Sequence, residues 1–297
     1  MPIPDLQEAT TRLAMIYLVL VSIVWAFSFG LIGTRLGNLP PAWLSWIRLA
    51  LSAAVFLPFV RRVHWKTALA LFITGALQFG LMYLAYMTSF HYLKSHEVAL
   101  FTVMTPIMVA ALSDLFGKTF RPRNLIAASL AVSGAAWMKW AEMETTAPLF
   151  GFFLVQLSNL CFAAGQLAYR HIMSRLSTPV PDHRVFFWLH FGGFVVLTPI
   201  ALPLALAKVP PAPTPEQMAI LVYLGLIASG ICFFLWNRGA RLVSAGQLAV
   251  MNNLKIPLGV AVSLLIFKET TGLYTLLAGS LLIGVALLPV RKSKRHS

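Results

Sequence analysis

Apolar runs close to the ~20 residues needed to cross a hydrocarbon core about 30 Å thick recur along the whole chain. They fall at 15–33, 42–60, 68–90, 96–116, 124–140, 149–169, 185–207, 217–237, 245–267 and 272–290. They carry no period-two alternation, which a membrane barrel would require, so the sequence predicts an all-α integral membrane protein of ten transmembrane helices. Composition agrees, since only 11% of the 297 residues are charged, against about 25% in an ordinary soluble domain.

The net charge of +14 would point to nucleic acid in a soluble protein, but its placement gives it another meaning. With the N-terminus in the cytoplasm, sixteen of the 23 basic residues fall on the inner side, in clusters such as Arg61, Arg62 and Lys66 or Arg291, Lys292, Lys294 and Arg295. Five, namely Arg35, Lys94, Lys139, Lys208 and Lys268, fall outside. This bias predicts both termini in the cytoplasm and assigns the basic charge to topology and anionic lipid headgroups, not to nucleic acid.

The first run lacks a small-residue cleavage site, and its removal would leave nine spans, so it is read as a helix. Cys161 and Cys232 both lie within spans, which offers neither a disulfide framework nor a metal site. No glycine-rich phosphate loop, His-Glu-x-x-His or Cys-x-x-Cys is present, and no cofactor is expected. No paired acids, Ser/His or Cys/His arrangement shares a predicted depth, which argues against an enzyme. The short loops leave no room for a sensor or nucleotide-binding domain, so transport is expected to run on gradients without an ATPase subunit.

Residues 75–95 and 225–245 align without a gap at an offset of 150, pairing Gly75 with Gly225, Gly80 with Gly230 and Tyr86 with Trp236. Gly134 and Gly284 keep the offset, Pro106 and Pro257 match with one insertion, and Trp46/Trp188 and Arg48/His190 match at 142. Two halves are expected, 1–145 and 146–297, each a five-helix repeat within one transport domain. Because five is odd, the halves must run in opposite directions, an inverted repeat that places a substrate near the midplane between them.

Two basic residues of the 23 lie inside spans, Arg48 and Lys255. An ammonium in hydrocarbon costs roughly 2.5–3.5 kcal/mol on insertion scales, so Lys255 must face a partner or a wet cavity. Gln247, Asn252 and Lys255 share roughly one face of the ninth run, and that face is expected to line a cavity. A structural pair with a buried acid or carbonyl is the competing account of Lys255. Pro257 and Pro106 crowd the carbonyls of Asn253 and Thr102, either exposing them to a ligand or simply kinking the helices.

The sixth run carries Gln156, Asn159, Ala163 and Gln166 at helical spacing, a stripe suited to a urea or peptide group or to interhelical bonding. Arg48, two turns into the second run, either serves a site or snorkels outward. Trp25, Phe29, Tyr83, Tyr86, Phe233 and Trp236 are candidates for the wall of an apolar pocket, or for core packing. Glu97, Asp114 and His190 are the candidate proton carriers, with interfacial charge as the alternative for the acids.

Ile23-Val-Trp-Ala-Phe-Ser-Phe29, ten spans in two inverted halves and the Pro-bearing fourth and ninth runs resemble the EamA-like branch of the drug/metabolite transporter superfamily. Leu100-Phe-Thr-Val-Met-Thr-Pro106, Leu154-Val-Gln-Leu-Ser-Asn159, Ala228-Ser-Gly230, Trp236-Asn237 and Met251-Asn-Asn253 are most similar to the bacterial single-component biotin importers of the carboxylate/amino acid/amine transporter type. The resemblance implies a protein of the bacterial cytoplasmic membrane with a cavity that includes Trp25, Thr105, Gln156, Asn159, Trp236, Asn252 and Asn253. It also implies a histidine where this chain has Lys255.

A biotin carboxylate would then meet Lys255, assisted by Arg48. Gln156, Asn159 and Asn252 would bond the ureido ring, and Trp25, Tyr83 and Trp236 would enclose the apolar body. An exporter of amino acids or other small metabolites on the same fold is the alternative.

Overall fold

The computed structural model describes residues 4–116, 147–176, 178–208, 212–243 and 245–268. Eight helices follow in order: α1 (Pro4–Arg35), α2 (Pro41–Phe56), α3 (Trp65–Ser89), α4 (Ser95–Leu115), α5 (Ala147–Ser174), α6 (Phe186–Leu206), α7 (Pro215–Leu242) and α8 (Ala245–Leu265). They take up the first four and the sixth to ninth apolar runs, and no strand occurs among the described residues. The expected spans at 124–140 and 272–290 lie outside the described residues.

Seven of these helices have the length and apolarity to cross a membrane, and their outer faces say why they need one. On α1, Leu13, Ile16, Leu20, Ile23 and Phe27 are exposed, while Ser22, Trp25 and Ser28 are buried. On α5, Phe150, Phe153, Leu157 and Leu160 face out, while Gln156, Asn159 and Gln166 face in. This is the reverse of a soluble amphipathic helix, and such continuous apolar faces are stable only in lipid. The protein is a multi-pass membrane protein.

Helix starts and breaks follow local chemistry. Pro41 opens α2 where a missing N–H costs nothing. Thr214 and Gln217 form a capping box at α7, with Pro215 at its first position. The Lys94 N–H donates to Glu97 Oε2 at 2.8 Å at the start of α4. Glu97 is thus a helix-capping acid, a role that competes with the proton-carrier reading of its sequence.

The α3 and α7 helices each widen into a π-helical stretch, Ala76–Leu81 and Tyr223–Ile231, and at the offset of 150 the first falls within the second and ends with it. Around them the helices pack closely: a Cβ on Gly75 would stand 1.8 Å from the Leu189 carbonyl oxygen, and one on Gly192 would stand 2.0 Å from that of Phe72. Only glycine lets the α3 and α6 backbones approach this far.

Among the described residues the most extensive pairings between helices are α2 with α6, α4 with α8, α1 with α7 and α8, α5 with α3 and α4, α2 with α7, and α6 with α3. Exchanging α1 to α4 for α5 to α8 in order maps this set onto itself. Contacts also give the directions. Ser22 reaches Met251 and Phe29 lies against Gly259, so α1 and α8 run parallel. Leu18 lies against Gly239 and Trp25 reaches Ala228, so α7 runs antiparallel to them. Phe162 meets Phe233 and Tyr169 meets Arg241, so α5 runs with α7.

Candidate functional site

A cavity with about 550 Å³ of empty space, including the space at its mouth, opens between α1, α2, α3, α4, α5, α7 and α8. Its wall comprises Trp25, Ser28, Phe29, Arg48, Met82, Tyr83, Tyr86, Thr102, Thr105, Ser158, Asn159, Phe162, Phe233 and Lys255. Six of the ten sequence-predicted residues are here: Trp25, Arg48, Tyr83, Thr105, Asn159 and Lys255.

Lys255 sits in an aromatic cage. Its Nζ lies 5.2 Å from the ring centroid of Trp25, 5.6 Å from that of Phe162 and 5.8 Å from that of Trp236. The cage is self-supporting, since the Trp25 and Trp236 rings are 5.1 Å apart and the Trp25 indole N–H donates to the Ala228 carbonyl at 2.9 Å. Ring faces attract a cation, with roughly 0.5–2 kcal/mol per contact depending on desolvation. Among the described residues neither a carboxylate nor a hydrogen-bond acceptor pairs with this ammonium, although the residue is only 6% exposed.

Arg48 is placed differently. It does not snorkel: it is buried, with Nε donating to Ser229 Oγ at 3.1 Å, Nη2 to the Tyr83 hydroxyl at 3.1 Å and Nη1 to the Met87 sulfur at 3.3 Å. Its guanidinium stacks 4.4 Å over the Tyr83 ring, and the Tyr83 hydroxyl donates to Ser229 Oγ at 2.8 Å. Arg48 is therefore held in a fixed neutral frame, whereas Lys255 is held by rings alone.

At the α4 break the carbonyl that Pro106 frees from the helix ladder is satisfied by its own chain and is not left open to a ligand. Thr102–Met104 tighten into a 3-10 turn just before Pro106, and the Thr105 hydroxyl donates to the Thr102 carbonyl at 2.8 Å. Asn159 spends its amide on this break: Nδ2 donates to the Phe101 carbonyl at 3.0 Å and to Gln156 Oε1 at 3.3 Å, while Oδ1 accepts from Thr105 at 3.1 Å. Gln156 stands behind Asn159 and does not line the cavity. Its Nε2 has no partner among the described residues.

Trp236, the third ring of the cage, and Asn252 are fully buried and do not line the cavity. The side chains of Gln247, Asn253 and Pro257 lie outside the described residues. His190 is buried with its ring stacked on Phe79 and Phe56, at 4.7 and 5.6 Å, and its Nε2 lies 3.3 Å from the Ser229 carbonyl oxygen.

Sequence reasoning passed over Phe162 and Ser229. Phe162 lies three residues after Asn159 and four before Gln166, on the stripe already recognised. Ser229 lies four before Phe233 and seven before Trp236, again on one helical face.

The two ends of the bundle are tied separately. At one end Asp182 pairs with Arg241 and accepts from the Tyr169 hydroxyl. At the other, Arg35 pairs with Glu216 at 3.4 Å, and Gln217 Nε2 donates to the Arg35 carbonyl and to Asn38 Oδ1. The cavity extends from Lys255 toward the Arg35 end, past Ser28, Phe29, Tyr86 and Thr102.

Membrane-spanning helices around an aromatic cavity with cations and amides in its wall define a small-molecule membrane transporter. The chain belongs to the EamA-like transporter family, whose model matches it twice, over residues 12–140 and 149–290. It is 37% identical over 282 residues to the "Biotin transporter" of Escherichia coli (strain K12), covering 94% of this chain and 93% of that protein. The Salmonella typhimurium protein of the same name matches equally, at 37% identity over the same shares. The "Probable biotin transporter" of Pseudomonas aeruginosa is 38% identical over 95% of this chain and 99% of its own. A solved protein structure only 17% identical superposes on 97% of this chain and 99% of its own with a TM-score of 0.65, a likeness of fold.

Proposed function

We propose that the protein takes up biotin across the bacterial cytoplasmic membrane by alternating access. The observation that carries this reading is the Lys255 ammonium, without a compensating acid among the described residues, caged by rings at the wall of a largely apolar cavity. A monoanionic ligand with a polar ring and an apolar body complements that wall, and the names of the relatives agree with it.

Lys255 holds the carboxylate, with Arg48 as a second cation in the same wall. Trp25 and Tyr83 enclose the apolar body, with Trp236 completing the cage from behind. The ureido ring meets Asn159 and Thr105 at the α4 break, with Gln156 behind them, while Asn252 on α8 lies off the cavity wall.

An amino acid substrate is less well served. Among the described residues no acid lines the cavity, so the ammonium of a zwitterion would meet two cations and no carboxylate.

The architecture we propose is ten spans in two inverted repeats, 1–145 and 146–297, with both termini cytoplasmic. The twice-matching family model, the paired π-helical stretches and the exchangeable helix pairings support it. On this orientation the Arg241 end is cytoplasmic, the cavity extends toward the outside, and gradients drive transport without an ATPase subunit.

The test is uptake of labelled biotin by cells lacking their own transporter. Expression of this chain is expected to restore uptake, and Lys255→Ala to abolish most of it. Export of amino acids with no biotin uptake would replace this reading with the alternative one.

A further inference from the structure

One turn from the cage toward the Arg241 end lies a layer of buried amides. Gln166 follows Phe162 by four residues on α5, about 6 Å along the axis. It shares a face with Phe162 and Tyr169, both of which meet α7. Asn252 precedes Lys255 by three residues on α8, and because α5 and α8 run antiparallel it lies on the same side of the cage. Gln78 on α3 donates through Nε2 to Asn237 Oδ1 on α7 at 3.2 Å. Gly165 brings the layer together, since a Cβ there would stand 2.2 Å from that of Gln78.

All of these side chains are at least 96% buried, yet Gln166 Nε2, Gln166 Oε1, Gln78 Oε1 and Asn252 Oδ1 have no partner among the described residues. Unpaired buried amides are costly anywhere and most of all within a membrane. Helix packing alone would be better served by Leu or Ala. The orphaned set offers both donors and acceptors, the chemistry that reads a urea or amide. None of it lines the cavity seen here, because the layer lies beyond the cage, toward the end tied by Asp182.

We propose that Gln166, Gln78 and Asn252 form an inner subsite for the cyclic urea of the ligand, engaged when the bundle opens at the Arg241 end. The inference rests on the biotin reading of the central cavity. It adds a second station to the path, so that the ureido group exchanges partners one turn further on.

The test uses the purified full chain in liposomes, with wild type, Gln166→Leu, Gln78→Leu and the conservative Gln166→Asn. Ligands are biotin and thiophane-2-valerate, the same sulfur ring and acid chain without the fused urea, which keeps the carboxylate and the apolar body and adds no charge. For the two Leu variants we expect the maximum biotin transport rate to fall about tenfold with KM within about twofold, as for an interaction made after the initial binding step. The ratio of biotin rate to thiophane-valerate rate should shrink, Gln166→Asn should recover part of the rate, and the unliganded unfolding temperature of Gln166→Leu should hold or rise, because an unsatisfied amide has been removed.

Unchanged maximum rates would overturn the inference. So would equal losses for both ligands with a lowered unfolding temperature in Gln166→Leu, which identify the amides as packing groups. A wild-type protein that moves no biotin would overturn the uptake reading itself, a failure visible without any variant.

Discussion

Replacing Lys255 by Met removes the charge and keeps an unbranched stem inside the cage of Trp25, Phe162 and Trp236. A carboxylate about 4 Å from an ammonium gains about 4 kcal/mol at an effective dielectric near 20, before the cost of desolvating both groups. Lys255 is already desolvated in the unliganded protein, at 6% exposure, so its share of that cost has been met in folding. A net loss of about 2–3 kcal/mol is expected, a weakening of biotin binding by roughly 30- to 150-fold.

The assay is calorimetric titration of purified protein with biotin and with biotin methyl ester, for wild type and Lys255→Met. Wild type should prefer the acid by about the factor lost in the variant, and the variant should bind acid and ester alike. Its unliganded unfolding temperature should hold, because loss of an unpaired buried charge offsets loss of three ring contacts. If the variant keeps the wild-type preference for the acid, the carboxylate is held elsewhere and the assignment is wrong.

Arg48→Gln should reduce the acid preference by a smaller factor, about three- to tenfold, because three of its donor nitrogens already serve Ser229, Tyr83 and Met87; the same titrations check this. Gly192→Ala should force α6 away from Phe72 and cost about 1–3 kcal/mol, read as a lowered unfolding temperature in detergent. Asp182→Ala leaves Arg241 and the Tyr169 hydroxyl without their shared acceptor and should cost about 1–3 kcal/mol. Thermal unfolding of that variant alongside Asp182→Asn separates the lost charge from the lost hydrogen bond.

The sequence anticipated much of the site, in proportion to how locally each feature is determined. The stripe Gln156, Asn159, Ala163 and Gln166 is buried as its spacing predicted, because 3.6 residues per turn set a face before any neighbour is known. The break at Thr102 likewise follows from Pro106 alone, although the carbonyl there is taken by the Thr105 hydroxyl and N–H and is not left open. The partners of these groups were not legible. Asn159 faces inward as expected, but its amide is taken by Phe101, Thr105 and Gln156, and so it acts first as a bond between α4 and α5. Helical spacing allows Arg48 to reach the interface equally well; only the arrival of Ser229 and Tyr83 from two other helices holds it inside the bundle.

What the sequence by itself determined is the medium, most of the span boundaries and the sign of the site. Hydrocarbon leaves a backbone no hydrogen-bond partner except itself, so runs of this length and apolarity form helices wherever they meet. An intramembrane Lys on a polar face declares a cation in the interior for the same reason. What only the tertiary structure decided is which side chains meet. The cage around Lys255 draws its rings from α1, α5 and α7, at least 19 residues from Lys255 in sequence, and helical periodicity carries no information about neighbours. Close packing of small residues, such as Gly75 and Gly192, selects those neighbours. It is this packing that leaves one cation paired with rings alone and one layer of amides unpaired.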